Sequence, residues 1–284
     1  MPSFRKPLEA LAGEWMGCKA CSLGESRLQV NGAFVFGEGA LGSVMFIGEG
    51  PGKDEEAQGR PFVGDSGQFL RELLKNLSFD SYYLTNAVCC RSWDFQYDTQ
   101  GGRQTRRNWK TKEEEYIVRD EPPKPMQCAA CRPRLLEQIY IVDPPLIVTL
   151  GAIAAEALLK RSVKILSENG ELTSVSLPGA GYIPQRTPKG AWARLTGPKG
   201  NRTLIAPNEQ NTVTYPVIPI LHPAHALANY KDQRMGAPLH SFMNGLRAAR
   251  RLYEAYYCEV TGGPPRPYDE TDQALYNALG DNDD

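Results

Sequence analysis

The chain has 284 residues, of which 41% are hydrophobic and 23% charged, as is typical of a soluble globular protein. Its formal net charge is −1, so a surface for nucleic acid must be a local patch and not a global property. No apolar run approaches the roughly 20 residues of a membrane helix, and the N-terminus has no apolar stretch of secretory type. We therefore expect a cytoplasmic protein that does not enter a membrane.

The chain contains seven cysteines, and six of them are clustered in sequence. The clustered residues are Cys18, Cys21, Cys89, Cys90, Cys128 and Cys131. Paired cysteines in a reducing compartment indicate a metal site and not disulfides. Scattered buried thiols are the ordinary alternative, and this alternative fits the isolated Cys258 best.

Four short apolar runs predict the strands of a sheet, and they span residues 44–47, 82–88, 146–150 and 217–221. At least two of these runs lead directly into helical patterns. Continuous apolar strands alternating with helices indicate a parallel sheet that is covered on both faces. A further amphipathic helix is predicted from about 239 to 258.

Glycines or polar residues follow all four predicted strands, in the stretches GEGPG, TNAVCC, LGA and HPAHA. Ligands of open parallel sheets bind beyond the carboxyl ends of the strands. We therefore interpret the four strand ends as one site.

The glycine-rich loop after the first strand does not fit a nucleotide phosphate. A P-loop requires GxxxxGK[ST], whereas Gly52 and Lys53 are followed by Asp54, and the GxGxxG fingerprint is also incomplete. The loop carries four acidic residues, which would repel a pyrophosphate. These residues are Glu49, Asp54, Glu55 and Glu56.

Two polar stretches interrupt the pattern, at about 92–127 and 168–215, and both are predicted to be insertions. We expect a single domain over residues 1–260. The acidic segment 261–284 is predicted to be a mobile tail.

The motifs GEGPGKDEEAQGRPFVGDSG, TNAVCCR, CRPRLLEQI followed by PPLIVTLGAIAAEAL, and LHPA stand in this order in the chain. Together they resemble the uracil-DNA glycosylase superfamily, and within it the iron–sulfur branch called family 4. The resemblance covers about residues 15–250, apart from the insertions. It implies a three-layer α/β/α sandwich around a four-stranded parallel sheet. It also implies a monofunctional DNA glycosylase that excises uracil or a modified pyrimidine and leaves an abasic site.

The resemblance assigns roles to three residues at the strand ends. Asn86 would read the O4 and N3–H of the pyrimidine, His222 would donate a neutral imidazole N–H to O2, and Phe62 would stack on the base. Each has an ordinary alternative, namely a turn-capping asparagine, a satisfied buried histidine and a core phenylalanine.

The acidic loop is the second part of the expected site. Gly48 and Gly50 would contact the base, while Glu49 and Glu55 could position water and stabilise the sugar cation. The other main branch has an aspartate where this chain has Gly50, so which carboxylate activates water stays open. Gly52 lacks a side chain that could exclude a larger pyrimidine at C5.

The resemblance also implies a [4Fe–4S] cluster, held by Cys18, Cys21, Cys90 and Cys131. The long gap between Cys90 and Cys131 leaves Cys128 open as a replacement for Cys131. A zinc ion bound by four cysteines is the competing interpretation.

Contact with DNA is expected from the segment after the fourth strand and from the first insertion. His225 lies in the former, and Leu227 could act as an apolar wedge. Arg106, Arg107 and Lys110 form a basic run that could bind phosphates. A solvated loop, neutralised by neighbouring glutamates, is the alternative for this run.

We expect a monomer whose partner is DNA containing uracil or a modified pyrimidine. Three rival functions stay open. They are a defence glycosylase acting on hypermodified phage bases, a catalytically silent iron–sulfur DNA-binding module and a zinc-stabilised nucleotide-binding protein.

Overall fold

The computed structural model describes residues 5–107, 109, 112, 114–178, 182–184, 192–196, 201–204, 212–231 and 237–267. Its helices are α1 (Arg5–Met16), α2 (Ser22–Gln29), α3 (Lys53–Gln58), α4 (Asp65–Asn76), α5 (Pro125–Val142), α6 (Ala152–Leu159), α7 (Ile165–Glu168), α8 (Pro223–Lys231) and α9 (Ala237–Thr261). Its strands are β1 (Glu38–Gly39), β2 (Val44–Gly48), β3 (Tyr82–Asn86), β4 (Trp93–Phe95), β5 (Thr105–Arg107), β6 (Glu114–Tyr116), β7 (Val118–Asp120), β8 (Ile147–Leu150), β9 (Thr173–Pro178), β10 (Tyr182–Pro184), β11 (Trp192–Thr196), β12 (Asn201–Leu204) and β13 (Thr212–Ile220). None of the described helices is both long and apolar enough to cross a bilayer.

The main sheet has six strands in the order β1-β3-β2-β8-β13-β9. The four central strands are parallel and are the four apolar runs of the sequence. An antiparallel strand extends each edge, β1 on β3 and β9 on β13. The parallel sheet was therefore predicted correctly, and its two edge strands were not.

Helices cover both faces of this sheet and create three layers. In β2, Phe46 faces a cluster that includes Leu70 of α4 and Phe242 of α9. Its neighbour Ile47 faces a second cluster that includes Leu136 of α5. This alternation follows from the two-residue period of a strand, and it explains why all five residues of β2 are buried.

The first interrupting stretch forms two small antiparallel ribbons, β4 with β7 and β5 with β6. Within the second stretch, β9 joins the main sheet and β10, β11 and β12 form a separate antiparallel sheet. The last strand, β13, begins well before the expected residue 217. Its first half is largely exposed and pairs only with β9, so it lacks the continuous apolar pattern.

The expected acidic tail lies mainly outside the described residues. Its beginning is fixed, because Arg266 forms an ion pair with Glu254 of α9 at 3.2 Å and another with Asp80.

Candidate active site

A cavity of about 370 Å³ lies at the carboxyl ends of the parallel strands. It is lined by Glu49, Gly50, Pro51, Gly52, Glu55, Phe62, Ser66, Asn86, Ser92, Asp120, Glu121, Pro122, Pro123, His222 and Ala224. Residues at the ends of three of the four parallel strands, β2, β3 and β13, therefore line one cavity, as the parallel topology requires. The end of β8 is not part of this lining, although a Cβ atom on Gly151 would lie 3.2 Å from the Cβ of His222.

The side chains of Asn86 and Phe62 lie against the same glycine. Gly48 ends β2 and pairs in register with Asn86 at the end of β3. A Cβ atom on Gly48 would lie 2.4 Å from Asn86 Oδ1 and 2.6 Å from Phe62 Cζ. Gly48 therefore contributes by its lack of a side chain, which lets the amide and the ring approach the strand end.

The backbone of Phe62 adopts a conformation that L-residues rarely adopt, with φ at +56°. This left-handed geometry costs on the order of 1–3 kcal/mol. Arg71 offsets the cost by donating from Nε to the Phe62 carbonyl at 2.9 Å and from Nη2 to the Pro61 carbonyl at 2.8 Å. Glu38 in turn holds Arg71 through an ion pair of 2.6 Å. The contacts of Arg71 and Glu38 thus hold the backbone that places the Phe62 ring in the cavity wall.

His222 follows β13 and is half-buried in the cavity wall. The backbone N–H of Ala224 donates to its Nδ1 at 3.2 Å. Burial, assisted by the charge of His225, lowers the pKa of His222 from 6.5 to about 4. At neutral pH the ring is therefore uncharged, and because Nδ1 is the acceptor, the proton lies on Nε2.

The two glutamates in the cavity wall have different surroundings. Glu55 accepts three backbone hydrogen bonds, from Gly52 at 3.0 Å and from Val63 and Gly64 at 2.9 Å each. Its carboxylate thus ties the glycine-rich loop to the segment that carries Phe62. Burial raises the pKa of Glu49 above its usual value. Glu55 is therefore engaged in holding the loop, which leaves Glu49 as the better candidate for contact with a reactant.

The clustered cysteines converge at a second place, beside the end of β3. A small cavity of about 10 Å³ is lined by five of them, Cys18, Cys21, Cys89, Cys90 and Cys131. Cys128 belongs to the same apolar cluster as Cys90. The four predicted ligands are among the residues that line this cavity. Among the described residues, no three His, Cys, Asp or Glu side chains are arranged around a single metal ion.

The surroundings of two buried arginines indicate whether an anionic group fits between these cysteines. Arg27 is 4% exposed and Arg134 is fully buried, and the Nε atom of each lacks a hydrogen-bond partner. Within the described part of the chain, neither forms an ion pair with a carboxylate. A buried cation requires an anion, and a metal cluster bound by thiolates carries negative charge. The residues present therefore fit such a group.

A sequence profile of the Uracil DNA glycosylase superfamily matches residues 36–246. This span covers most of the chain and includes every residue that lines the larger cavity. The chain belongs to the uracil-DNA glycosylase superfamily.

Curated relatives agree with this assignment. A Type-4 uracil-DNA glycosylase of Thermotoga maritima is 36% identical over 140 residues, which are 48% of this chain and 58% of that protein. A Type-4 uracil-DNA glycosylase of Sulfurisphaera tokodaii is 28% identical over 276 residues, or 95% and 98% of the two chains. A third, from Saccharolobus solfataricus, is 32% identical over 158 residues, or 54% and 60%. The chain thus spans less than two thirds of the first and third relatives and nearly all of the second.

The first insertion supplies a wall of this superfamily cavity that sequence reasoning missed. Ser92 and residues 120–123 close one side. Arg91 fixes this wall, because its Nε donates to Asp120 at 2.6 Å and its Nη1 to Glu56 of α3 at 3.4 Å. Its position in the sequence could have predicted this wall, because the insertion begins directly after TNAVCCR, close to the end of a strand.

The described residues of the basic run expected to bind phosphates do not line the cavity. Arg106 and Arg107 are exposed in β5, and the strand register sets them opposite Glu115 and Glu114. Lys110 lies outside the described residues.

The other expected DNA contacts lie on α8. His225 is exposed there, next to the cavity residue Ala224. Leu227 is partly buried and packs against the main hydrophobic cluster. Its role as a wedge stays a prediction.

Proposed function

We propose that this chain is a DNA N-glycosylase that excises uracil from DNA and leaves an abasic site. The observation that carries the proposal is the meeting of Asn86, Phe62 and His222 around one cavity at the strand ends. The names of the curated relatives support the same substrate.

The proposed reaction begins with a uracil flipped out of the base stack into the cavity. The Asn86 amide can accept from N3–H and donate to O4, while the face of Phe62 stacks on the ring. These contacts orient the base so that its O2 faces the Nε2–H of His222.

Cleavage of the N-glycosidic bond places negative charge on uracil and positive charge on the sugar. The neutral Nε2–H of His222 can stabilise the anion at O2 through a preorganised hydrogen bond. Glu49 can stabilise the sugar cation and orient a water molecule. The hydroxyl of this water forms the new bond to C1′, and its proton balances the charge of the departing base.

We further propose that Cys18, Cys21, Cys90 and Cys131 hold a [4Fe–4S] cluster, with Cys128 as the alternative to Cys131. When bound, the cluster would supply a rigid anionic centre that joins α2, the end of β3 and α5. We assign it no step of the reaction.

The size of the cavity favours a second candidate substrate, a pyrimidine enlarged at C5 such as those of hypermodified phage DNA. The cavity volume of about 370 Å³ lies within the range that accommodates drug-sized ligands. Gly52 adds no side chain to this cavity, although the Glu55 carboxylate lies 2.9 Å from the position that a Cβ atom on Gly52 would take.

A base-release assay tests both candidates. We expect the wild-type protein to release uracil from DNA, and we expect Asn86→Ala to lower the rate at least about a hundredfold, because the base loses its polar partner. Asn76→Ala is the matched control, since Asn76 stands at the opposite end of α4 from the cavity residue Ser66.

Three outcomes of this assay separate the possibilities. Release of uracil that depends on Asn86 supports the proposal. Release from DNA with enlarged pyrimidines but not from uracil-containing DNA supports the second candidate. A protein that binds DNA and releases neither base is a silent module, which contradicts both.

A further inference from the structure

Arg134 connects the cysteine site, which is the small cavity lined by Cys18, Cys21, Cys89, Cys90 and Cys131, with Asn86 at the end of β3. It lies on α5, one turn after Cys131, and its side chain is fully buried. Its Nη2 donates to the carbonyl oxygens of Asn86 at 2.7 Å and Ala87 at 2.8 Å, and lies 3.5 Å from Cys131 Sγ. A single guanidinium nitrogen therefore contacts both a proposed cluster ligand and the residue that carries the reading amide.

The second terminal nitrogen of Arg134 is fixed as well. Nη1 donates to the buried Gln138 amide oxygen and to Thr85 Oγ1 at 3.3 Å. Thr85 donates to the same Gln138 oxygen at 3.0 Å, and the Gln138 amide donates to Tyr83 at 3.2 Å. The guanidinium plane is thereby held along β3, directly behind the strand end.

The charge of Arg134 has no carboxylate within ion-pair distance among the described residues. Burying a cation without an anion is costly, and arginine does not lose its proton in proteins. Among the groups that interact most strongly with this charge are the thiols of Cys89 and Cys131. An anionic centre on the cysteines would balance it.

We propose that Arg134 is a positioning residue that links the cysteine-bound cluster to base recognition. Its charge balances the cluster, while its two donors to the Asn86 and Ala87 carbonyls set the strand end from which the Asn86 amide reaches the base. The effect of Arg134 on base recognition rests on the proposed function. Its balancing of the cluster charge, the electrostatic half of the proposal, does not.

Two substitutions separate charge from geometry. Arg134→Met removes both the charge and the donors. Arg134→Lys keeps the charge, but a single ammonium group cannot reproduce the planar set of contacts. Arg132→Met is the matched control, because Arg132 lies on the same helix and donates instead to the carbonyls of Ala157 and Leu158.

Iron and sulfide content, the reduction potential of the cluster and kcat/KM for uracil release are measured on each full-length protein. We expect kcat/KM to fall about ten- to hundredfold in both Arg134 variants. The potential should become more negative only in Arg134→Met, since loss of a nearby cation disfavours the added electron. A merely structural role would not shift the potential in this selective way.

An Arg134→Met protein with the potential and kcat/KM of Arg132→Met would overturn the proposal. Should Arg134→Met fail to fold or to retain iron, Arg134→Lys decides, and a wild-type kcat/KM in that variant contradicts the link to Asn86. If the wild type releases no uracil, the proposed function fails, while an unchanged potential in Arg134→Met independently contradicts the electrostatic half.

Discussion

His222 shows how one side chain acquires its chemistry from its neighbours. The LHPA motif indicates which histidine belongs to the site, but not which ring nitrogen carries the proton. The Ala224 N–H decides this, because it donates to Nδ1 and leaves the proton on Nε2. Burial lowers the ring's pKa, so the ring is neutral at pH 7. In the proposed reaction, its Nε2–H can strengthen its hydrogen bond as the leaving base becomes negative.

The lowered pKa of His222 predicts how stability depends on pH. The unfolded chain binds a proton at His222 near pH 6.5, whereas the folded protein resists protonation until about pH 4. Folding stability should therefore fall as the pH drops from about 6.5 to 4, by up to about 3 kcal/mol from this residue. Chemical denaturation across this range should show a smaller fall in His222→Gln.

His240→Gln, the same change at an exposed residue of α9, is the matched control for this measurement. Equal slopes in the wild type and His222→Gln would mean that the ring is not buried in its neutral form.

At the scale of elements, the glycine-rich loop and α3 form one unit with the segment that carries Phe62. Glu55 joins them by accepting from three backbone N–H groups, and it closes the first turn of α3 by its bond to Gly52. Glu49 stands in the same cavity wall, and burial raises its pKa. Glu49 and Glu55 thus have different surroundings, although the charge pattern of the sequence does not distinguish one from the other.

A matched pair of substitutions tests this difference. Glu55→Gln should lower the free energy of unfolding by about 3 kcal/mol, because a neutral amide cannot accept all three charge-assisted bonds. Glu49→Gln should leave it unchanged or raise it at neutral pH while slowing base release. The raised pKa of Glu49 means that its ionisation destabilises the fold, so the relative gain should grow as the pH rises above about 4.5.

Denaturant titrations and base-release rates of the two variants decide the matter. A Glu49→Gln protein with full activity would remove Glu49 from the proposed mechanism. A fully stable Glu55→Gln would show that the three hydrogen bonds do not hold the loop.

At the scale of the whole molecule, the cysteine site and the larger cavity share one insertion. The insertion begins two residues after Cys90 and ends at the start of α5, which carries Cys128 and Cys131. Its residues 120–123 form part of the cavity wall. A cluster bound by cysteines on both sides would therefore fix the base of the insertion and, through it, the shape of the cavity.

The two alternatives for the fourth proposed ligand, Cys131 and Cys128, make the effect of the cluster testable. Cys131→Ser should lose most of its iron and sulfide and lower Tm by about 10 °C, because a centre joining three segments is removed. Cys128→Ser should retain the cluster, and Cys258→Ser on α9 serves as a control that should behave like the wild type. Loss of the cluster in Cys128→Ser but not in Cys131→Ser would make Cys128 the fourth ligand in place of Cys131. Zinc in place of iron in the wild-type protein would contradict the proposed iron–sulfur cluster.

The sequence by itself determined the four central strands, the edge of the sheet at which the cavity lies and the motifs that resemble the uracil-DNA glycosylase superfamily. These features depend on local patterns, since a buried parallel strand is continuously apolar and its carboxyl end marks the ligand site. Only the tertiary structure decided the edge strands, the insertion wall, the tautomer of His222 and the bonds of Arg134 to a residue 48 positions earlier. Such features depend on contacts between distant segments, for which a single sequence contains no periodic signal.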